Sequence, residues 1–502
     1  MQKTMPERMV GFSIKHAWFV IAVTILVTLV FGWFAVKIKI NPDFTSLMPK
    51  NSQIDALLKE YGGGGASPDL LVLAVTADKG GSVFDPKALA AYGEAVSAIQ
   101  ALPGVRSVVS PFNLVSFGRE NGRLAIRQMS PGGVAPEPGA AEELRARLSR
   151  ARYAQNLVVS GDGTMLISYF QAEPQKSFKG FMDKVDAIAN AMRAKGLTPY
   201  VTGTIPLAVR TEYHLSRDAT RLLILAALII LISYVATFRH LRAISLPLLT
   251  ALLGTLWTVG FMALMGFSLS LISIVAPPLI LIFGNEYAIY TTSEYLRVVR
   301  VEGTSPGWIA RAGGNVTMPI LIAVLTTAIG FLSLLTTSIS QTREFAVTAS
   351  FGSAACAFLA LFFLPALYSR FPPPAERKDR LGTGFRQSMR LLARFAYRFP
   401  AVVLALLGAA VVLFAVTVRF LTFNTDPAGY FPESDPVLQD MAAIYGKAGG
   451  YEAIAVSFDA PAGEAGYFLD ADVLARVQGV ERKLLDIPDI SYAVSLPDLL
   501  QY

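Results

Sequence analysis

Apolar residues dominate seven stretches of the chain, near residues 17–36, 221–238, 244–265, 269–292, 318–337, 345–368 and 401–420. Each is close to the ~20 residues that a helix needs to cross a hydrocarbon core. After the first stretch, from Lys37 to about Asp218, the pattern becomes short and mixed. Leu70–Val75 reads as a buried strand, Pro86–Leu102 as a helix after Phe84-Asp85, and Val105–Val109 as a strand. Pro131–Gly139 is a loop and Ala140–Ala151 a charged helix. Leu157–Ser160 and Met165–Phe170 flank the turn Gly161-Asp162-Gly163 as a hairpin, Phe178–Ala194 is an amphipathic helix, and Tyr200–Thr202 a last strand. Strand, helix, strand occurring twice predicts two split βαβ units, a ferredoxin-like α+β domain.

Basic residues orient the spans. Arg239 and Arg242 follow the second stretch and Arg297, Arg300 and Arg311 the fourth. The sixth is followed by Arg370, Arg377, Lys378, Arg380, Arg386, Arg390, Arg394 and Arg398, while the alternate linkers are nearly free of positive charge. Positive charge stays in the cytoplasm, so the N-terminus is expected inside and the 37–218 domain outside. The expected layout is a cytoplasmic N-terminus (1–16), a first span (17–36), an extracytoplasmic domain (37–218), five spans (219–369), a basic linker (370–400), a seventh span (401–420) and a second domain from 421. The 17–36 stretch is long for a signal peptide and lacks a small-residue cleavage site, so it reads as an uncleaved span.

The second domain begins as the first does. Asn41-Pro-Asp43 with Pro49 is echoed by Asn424-Thr-Asp426 with Pro432, an offset of 383; Tyr61-Gly62 matches Tyr445-Gly446 at 384. Leu102-Pro103-Gly-Val105 matches Ile487-Pro488-Asp-Ile490, and Leu114 matches Leu499, at 385. An offset this steady is an internal duplication. The second copy stops at Tyr502, so the expectation is an incomplete second repeat that lacks spans eight to twelve.

Composition removes several function classes. At 53% hydrophobic and 16% charged, with mean hydropathy +0.47, the chain is a membrane protein. One cysteine, Cys356, and three histidines leave no disulfide framework and little for a metal site. The net charge of +7 sits beside spans, which favours membrane topology over nucleic acid. Gly62–Gly65 lacks the Lys-Ser/Thr of a phosphate loop. No cofactor, metal or catalytic constellation is expected.

The chemistry to explain is Glu286, in Gly284-Asn285-Glu286-Tyr287 of the fourth span. A charge at a helix centre in the bilayer costs at least ~2.5 kcal/mol. Glu286 is therefore a candidate proton or ion relay with Asn285 and Tyr287, or else a structural acid bonded to those neighbours and kept neutral. Pro277 and Pro278 are expected to kink the helix ahead of it, as a hinge or a plain bend, with Gly284 as a further break. Thr326 and Thr327 are candidates for a hydrated path, against the ordinary alternative of bonding back to their own helix. Phe112, Phe170 and Phe181 read either as a lipid-accepting pocket or as core.

One span, an α+β domain, five spans and the same again resembles the RND superfamily. Asp43-Phe-Thr-Ser-Leu-Met-Pro49, Thr202-Gly-Thr-Ile-Pro206, Gly284–Tyr287, Leu325–Phe331, Phe351-Gly352 and Leu364-Pro365-Ala366 are similar to its MMPL and hydrophobe-exporter branch, which includes hopanoid transporters. Spans two to six also resemble a sterol-sensing-type block, and the layout of the family implies a short helix along the inner face at Gly303–Asn315. In that branch the fourth span usually carries Gly-x-Asp-Tyr, whose aspartate belongs to a proton relay; Glu286 stands there, one methylene longer. The resemblance implies a proton-driven exporter of lipid or another hydrophobic cargo in the inner membrane, with porter domains outside and relay partners on a tenth span. The alternatives are a non-pumping sterol-sensing-type lipid binder and a protein-export accessory resembling the SecD/SecF pair. Cargo, oligomeric state (a homo-oligomer included) and outer-membrane partners stay open.

Overall fold

A computed structural model describes residues 5–500 except 43–68, 79, 121–122, 134, 136, 176, 239, 304–306, 373–382, 422–426, 450–455, 457, 462–463, 465, 488–489 and 491. The Asp43–Pro49 and Gly62–Gly65 segments, Tyr61, Arg239, Arg377, Lys378, Arg380, Asn424–Asp426 and Pro488 lie outside the described residues.

In chain order, α1 (Met5–Lys15) and α2 (Ala17–Ala35) are followed by β1 (Leu70–Ala77), α3 (Pro86–Gln100), β2 (Val105–Val109), β3 (Val115–Glu120), β4 (Arg123–Gln128) and α4 (Ala141–Arg150). Then come β5 (Met165–Ala172), α5 (Lys179–Ala194), β6 (Leu197–Thr202), α6 (Thr204–Thr237), α7 (Leu241–Leu264), α8 (Ala276–Glu302), α9 (Trp308–Leu332) and α10 (Ser340–Phe358). A π-helical turn joins α10 to α11 (Leu364–Arg370), and α12 (Thr383–Arg398), α13 (Pro400–Thr417), α14 (Pro436–Ala448), α15 (Ala471–Leu485) and α16 (Leu496–Leu500) complete the chain. These elements form two units: Met1–Lys50 with Glu212–Thr425, and Asn51–Thr211 with Asp426–Tyr502.

The second unit is built on an antiparallel sheet of order β2-β5-β1-β6. That order, with α3 and α5 as the two crossovers, is the pair of split βαβ units that the sequence pattern calls for. Leu71, Leu73 and Val75 of β1 face a core shared with α3 and α5, including Phe112, Phe170 and Phe181. Those three phenylalanines therefore fill the core. Val72 and Ala74 face the other way and are covered by Met441, Ile444 and Ala448 of α14. Burial on both faces explains why β1 is an unbroken apolar run instead of an alternating one. The buried hydroxyls of Tyr92 and Ser168 bond at 2.6 Å and tie α3 to β5.

Thr202-Gly-Thr-Ile-Pro206 turns strand into helix. Gly203 has φ +111, and a Cβ there would strike the Leu70 carbonyl, so only glycine fits. Thr204 Oγ1 accepts the Leu70 N–H at 2.8 Å, which ties the start of α6 to β1.

Three local expectations change. The first arm of the predicted 157–170 hairpin is only a bridge, Val159 to Leu166. The β3–β4 hairpin was not foreseen, although Asn121-Gly122 between its arms is a strong two-residue turn signal. The stretch expected as a separate helix over 303–315 is, from Trp308 onward, the first turns of α9.

Two helices at matching positions of the expected repeat are alike in length. α3 and α15 are each fifteen residues long and begin at 86 and 471, with Asp85 and Asp470 just before them. Asp470 caps its helix through the Asp472 and Val473 N–H groups, whereas Asp85 Oδ2 accepts from Ser82 N.

α14 is held to the sheet by more than apolar area. Asp435 caps it through Val437 N, and its buried carboxylate pairs with Arg210 at 2.9 Å. Asp440 accepts the Val201 N–H of the edge strand β6 at 2.9 Å, which satisfies a donor on an otherwise open edge. Asp435→Ala is expected to loosen α14 by about 2 kcal/mol, a lost cap plus a pair partly screened at Arg210. Hydrogen exchange over 436–448 would then quicken by about thirtyfold; unchanged exchange would show that apolar contact alone holds the helix. Burial, then the charge of Asp186, pushes the Asp440 carboxyl above its ordinary value, against Val201 N–H and Arg193. The folded state thus binds that proton more tightly, so this contribution stabilises on the acid side and is lost as pH rises through the raised pKa. Asp440→Asn should flatten that part of the stability–pH curve, measured as the difference from wild type.

Candidate functional site

The first unit holds, among the described residues, seven helices long and apolar enough to cross a membrane. Burial is unequal. The most apolar stretch of the helix containing Glu286 is 56% buried and that of the sixth span 72%, against 6% for the fifth and none for the seventh. α8 is therefore an interior helix, packed on α7, α9 and α10.

Small residues make that packing. Gly284 of α8 lies so close to its neighbours that a Cβ would stand 3.0 Å from Ala251 Cα of α7 and 3.0 Å from Cys356 Sγ of α10. Gly254 faces the same sulfur, and Gly352 faces Thr258 and Ile280. Backbones can approach this closely only where side chains are absent, which is how helices associate where lipid removes the hydrophobic drive. Gly284 is thus a contact residue inside a continuous helix. Pro277 and Pro278 occupy the first positions of α8, after a short 3-10 turn at Ser273–Val275. They start the helix instead of kinking it, because the missing N–H groups have no partner to lose at that end. The span accordingly begins later than residue 269 and runs on to Glu302; Leu269 itself bridges Ile40.

Glu286 stands near the middle of α8. It is exposed, in line with Ile282 and Tyr290 one turn before and after it. None of the ion pairs among the described residues includes it. The neighbouring face turns inward. Tyr287 is buried and its hydroxyl meets Ser353 Oγ of α10 at 3.1 Å, with the Thr327 side chain as a further hydrogen-bonding neighbour. Asn285 Oδ1 is buried without a hydrogen-bond partner among the described residues. A turn further along, Thr292 Oγ1 bonds Ala288 O and meets Tyr368 Oη of α11 at 2.8 Å.

The expected residues therefore do not share one face. Tyr287 meets Ser353, which the sequence reading missed, with Thr327 as its neighbour, whereas Asn285, two residues before Tyr287, points to another side of α8. Glu286 lies beside them on the outward face. Thr326 is exposed and donates to Ile322 O and Ala323 O of its own helix, at 3.0 and 2.9 Å. Ser353 follows Phe351-Gly352, and its place three residues before Cys356 on a helix of small residues was the available signal. Among the described residues no group of His, Cys, Asp and Glu could hold a metal. The arrangement offers one ionisable carboxyl at mid-span and a short polar ladder next to it, suited to moving a proton or binding a polar group.

A model of the MMPL family matches residues 40–399, from the end of the first span to the edge of the seventh. A membrane protein of Methanocaldococcus jannaschii is 23% identical over 372 residues, covering 72% of this chain and 92% of that protein. A membrane protein of Streptomyces coelicolor is 28% identical over 258 residues, covering 49% of this chain and 35% of that protein.

Gly284→Leu should push α8 away from α7 and α10 and destabilise the bundle by about 3 kcal/mol or more. Cys356, the sole cysteine and buried, is a built-in reporter. Its labelling by a membrane-permeant thiol reagent should set in at a clearly lower temperature in the variant; an unchanged onset would mean that the close approach is not needed.

Proposed function

Because this chain belongs to the MMPL family, a family of membrane transporters, we propose that it works as a proton-driven, RND-type exporter of lipids or other hydrophobic compounds. The single observation behind the reading is a carboxyl at mid-span with no counter-ion among the described residues, next to a polar ladder on a closely packed helix. A charged carboxylate in hydrocarbon costs ~2.5–3.5 kcal/mol or more, whereas its neutral form does not pay that penalty. Glu286 would thus be protonated when its face meets apolar surroundings and ionised when water reaches it. Proton occupancy then biases one helix arrangement over another, which is the differential affinity that any coupled cycle requires. Asn285 and Tyr287 would position the carboxyl and any water beside it. Gly284 would permit α8 to shift against Cys356, and Pro277 and Pro278 would fix where that helix begins.

In this reading the basic linkers lie in the cytoplasm and the sheet domains on the far side of the membrane. Cargo would enter from the outer leaflet or through those domains.

The test is gradient-dependent lipid efflux from proteoliposomes holding the full gene product. Glu286→Gln, which keeps size and removes the titratable proton, is expected to abolish the gradient-dependent part while folding and lipid binding persist. Glu286→Asp keeps the proton and should retain coupling at a reduced rate. Transport by the Gln variant equal to wild type would end the relay reading. If wild type itself ignores a gradient yet binds lipid, the non-pumping lipid binder replaces it.

A further inference from the structure

We propose that α12 is an anionic-lipid sensor that lies in the membrane surface just before the seventh span. Arg390, Arg394 and Arg398 recur every fourth residue, and Arg386 holds the same register one turn earlier. Residues four apart share one face of a helix. Leu392 and Phe395 fall on the opposite face, flanked by Leu391. Every side chain from Arg390 to Pro400 is exposed, Leu392 by 59% and Phe395 by 46%. An exposed helix with arginines on one side and large apolar residues on the other matches the pattern of an interfacial helix.

Two further observations choose lipid as the occupant. Only Phe399 separates α12 from the start of α13, so the helix ends where a membrane-crossing segment begins. The Phe399 ring lies 5.5 Å from that of Phe395, and the Arg398 guanidinium lies 5.8 Å over it. The charge is also of one sign, since no acidic residue occurs between Asp379 and Asp426. Juxtamembrane arginine clusters of this kind recognise anionic phospholipid headgroups.

The repeat explains why protein does not compete for the same face. At the offset of 383, α1 corresponds to residues 388–398. α1 is seated on α9: its Val10 lies against Gly313 and its Glu7 against Gly314. Arg390 replaces that acid in α12. The residues of α1 that match Leu392 and Phe395 are Met9 and Phe12, and Phe12 is 51% exposed. Even if α12 found a seat like that of α1, it would dock through Ala393 and Ala396. Leu392, Phe395 and the arginines would stay free for the bilayer.

The full chain in lipid nanodiscs tests this. An environment-sensitive fluorophore is placed at Leu392→Cys or, on the arginine side, at Gln387→Cys, with buried Cys356 left unlabelled. Nitroxide-bearing lipid should quench the label at 392 and spare the one at 387. Phosphatidylglycerol mixed with phosphatidylcholine should strengthen quenching severalfold over phosphatidylcholine alone. Replacing Arg390, Arg394 and Arg398 together by Gln should erase that increment while Cys356 stays protected, showing an intact bundle. Equal quenching in the two lipids, or equal quenching of the two labels, overturns the proposal. A label at 392 shielded from both water and lipid also overturns it, and would point to a protein surface.

Discussion

The close approach of α7, α8 and α10 around Cys356 is the constraint on which the membrane unit depends. Lipid tails are as apolar as leucine, so the spans gain nothing by merely hiding side chains from lipid. Contact between backbones, allowed by Gly254, Gly284 and Gly352, supplies the association instead. Interhelical hydrogen bonds add to it. Trp257 Nε1 donates to Thr28 Oγ1 at 2.9 Å, and Tyr287 meets Ser353. Such bonds average only ~0.6 kcal/mol in a membrane bundle, so they set register more than they set stability. The seam also decides what α8 can present. With Gly284 and Tyr287 turned inward, helical geometry leaves Ile282, Glu286 and Tyr290 on the outside.

The sheet unit solves a different problem, that of a two-faced sheet. α3 and α5 cover one face, and the other is covered by α14, which belongs to the second repeat. The first sheet is therefore completed by chain from more than two hundred residues further on. Asp435 and Asp440 turn this into a specific seat, one by pairing with Arg210 and the other by capping an edge N–H. Residues 435–448 are thus a structural part of the sheet that residues 70–202 build.

Charge works at two depths. Glu286 stands at mid-span, where a charge is expensive. The arginines of α12 stand beside a span, the position where anionic headgroups favour positive charge. Both belong to the first unit, and both follow from the same energetics of moving charge across the boundary of a hydrocarbon layer.

Much was legible beforehand. The seven apolar spans, the two split βαβ units, the expectation of a repeat and the mid-span carboxyl all rest on local patterns. Apolar length, strand–helix alternation, matching offsets and a charge in an apolar run are properties that neighbouring residues define together. Other features were out of reach for a physical reason. Whether a proline pair starts a helix or bends one depends on where the preceding turn ends, which Ser270 and Ser273 settle through their mutual hydrogen bonds. Gly284 read as a break because sequence shows its freedom, whereas structure shows what presses against it. The partnership of Tyr287 with Ser353 joins residues 66 positions apart, on helices whose facing sides no local pattern specifies. Sequence by itself determined which segments enter the membrane and that one of them holds an acid. Only tertiary packing decided which way that acid faces, because rotation of a helix about its axis is set by its neighbours.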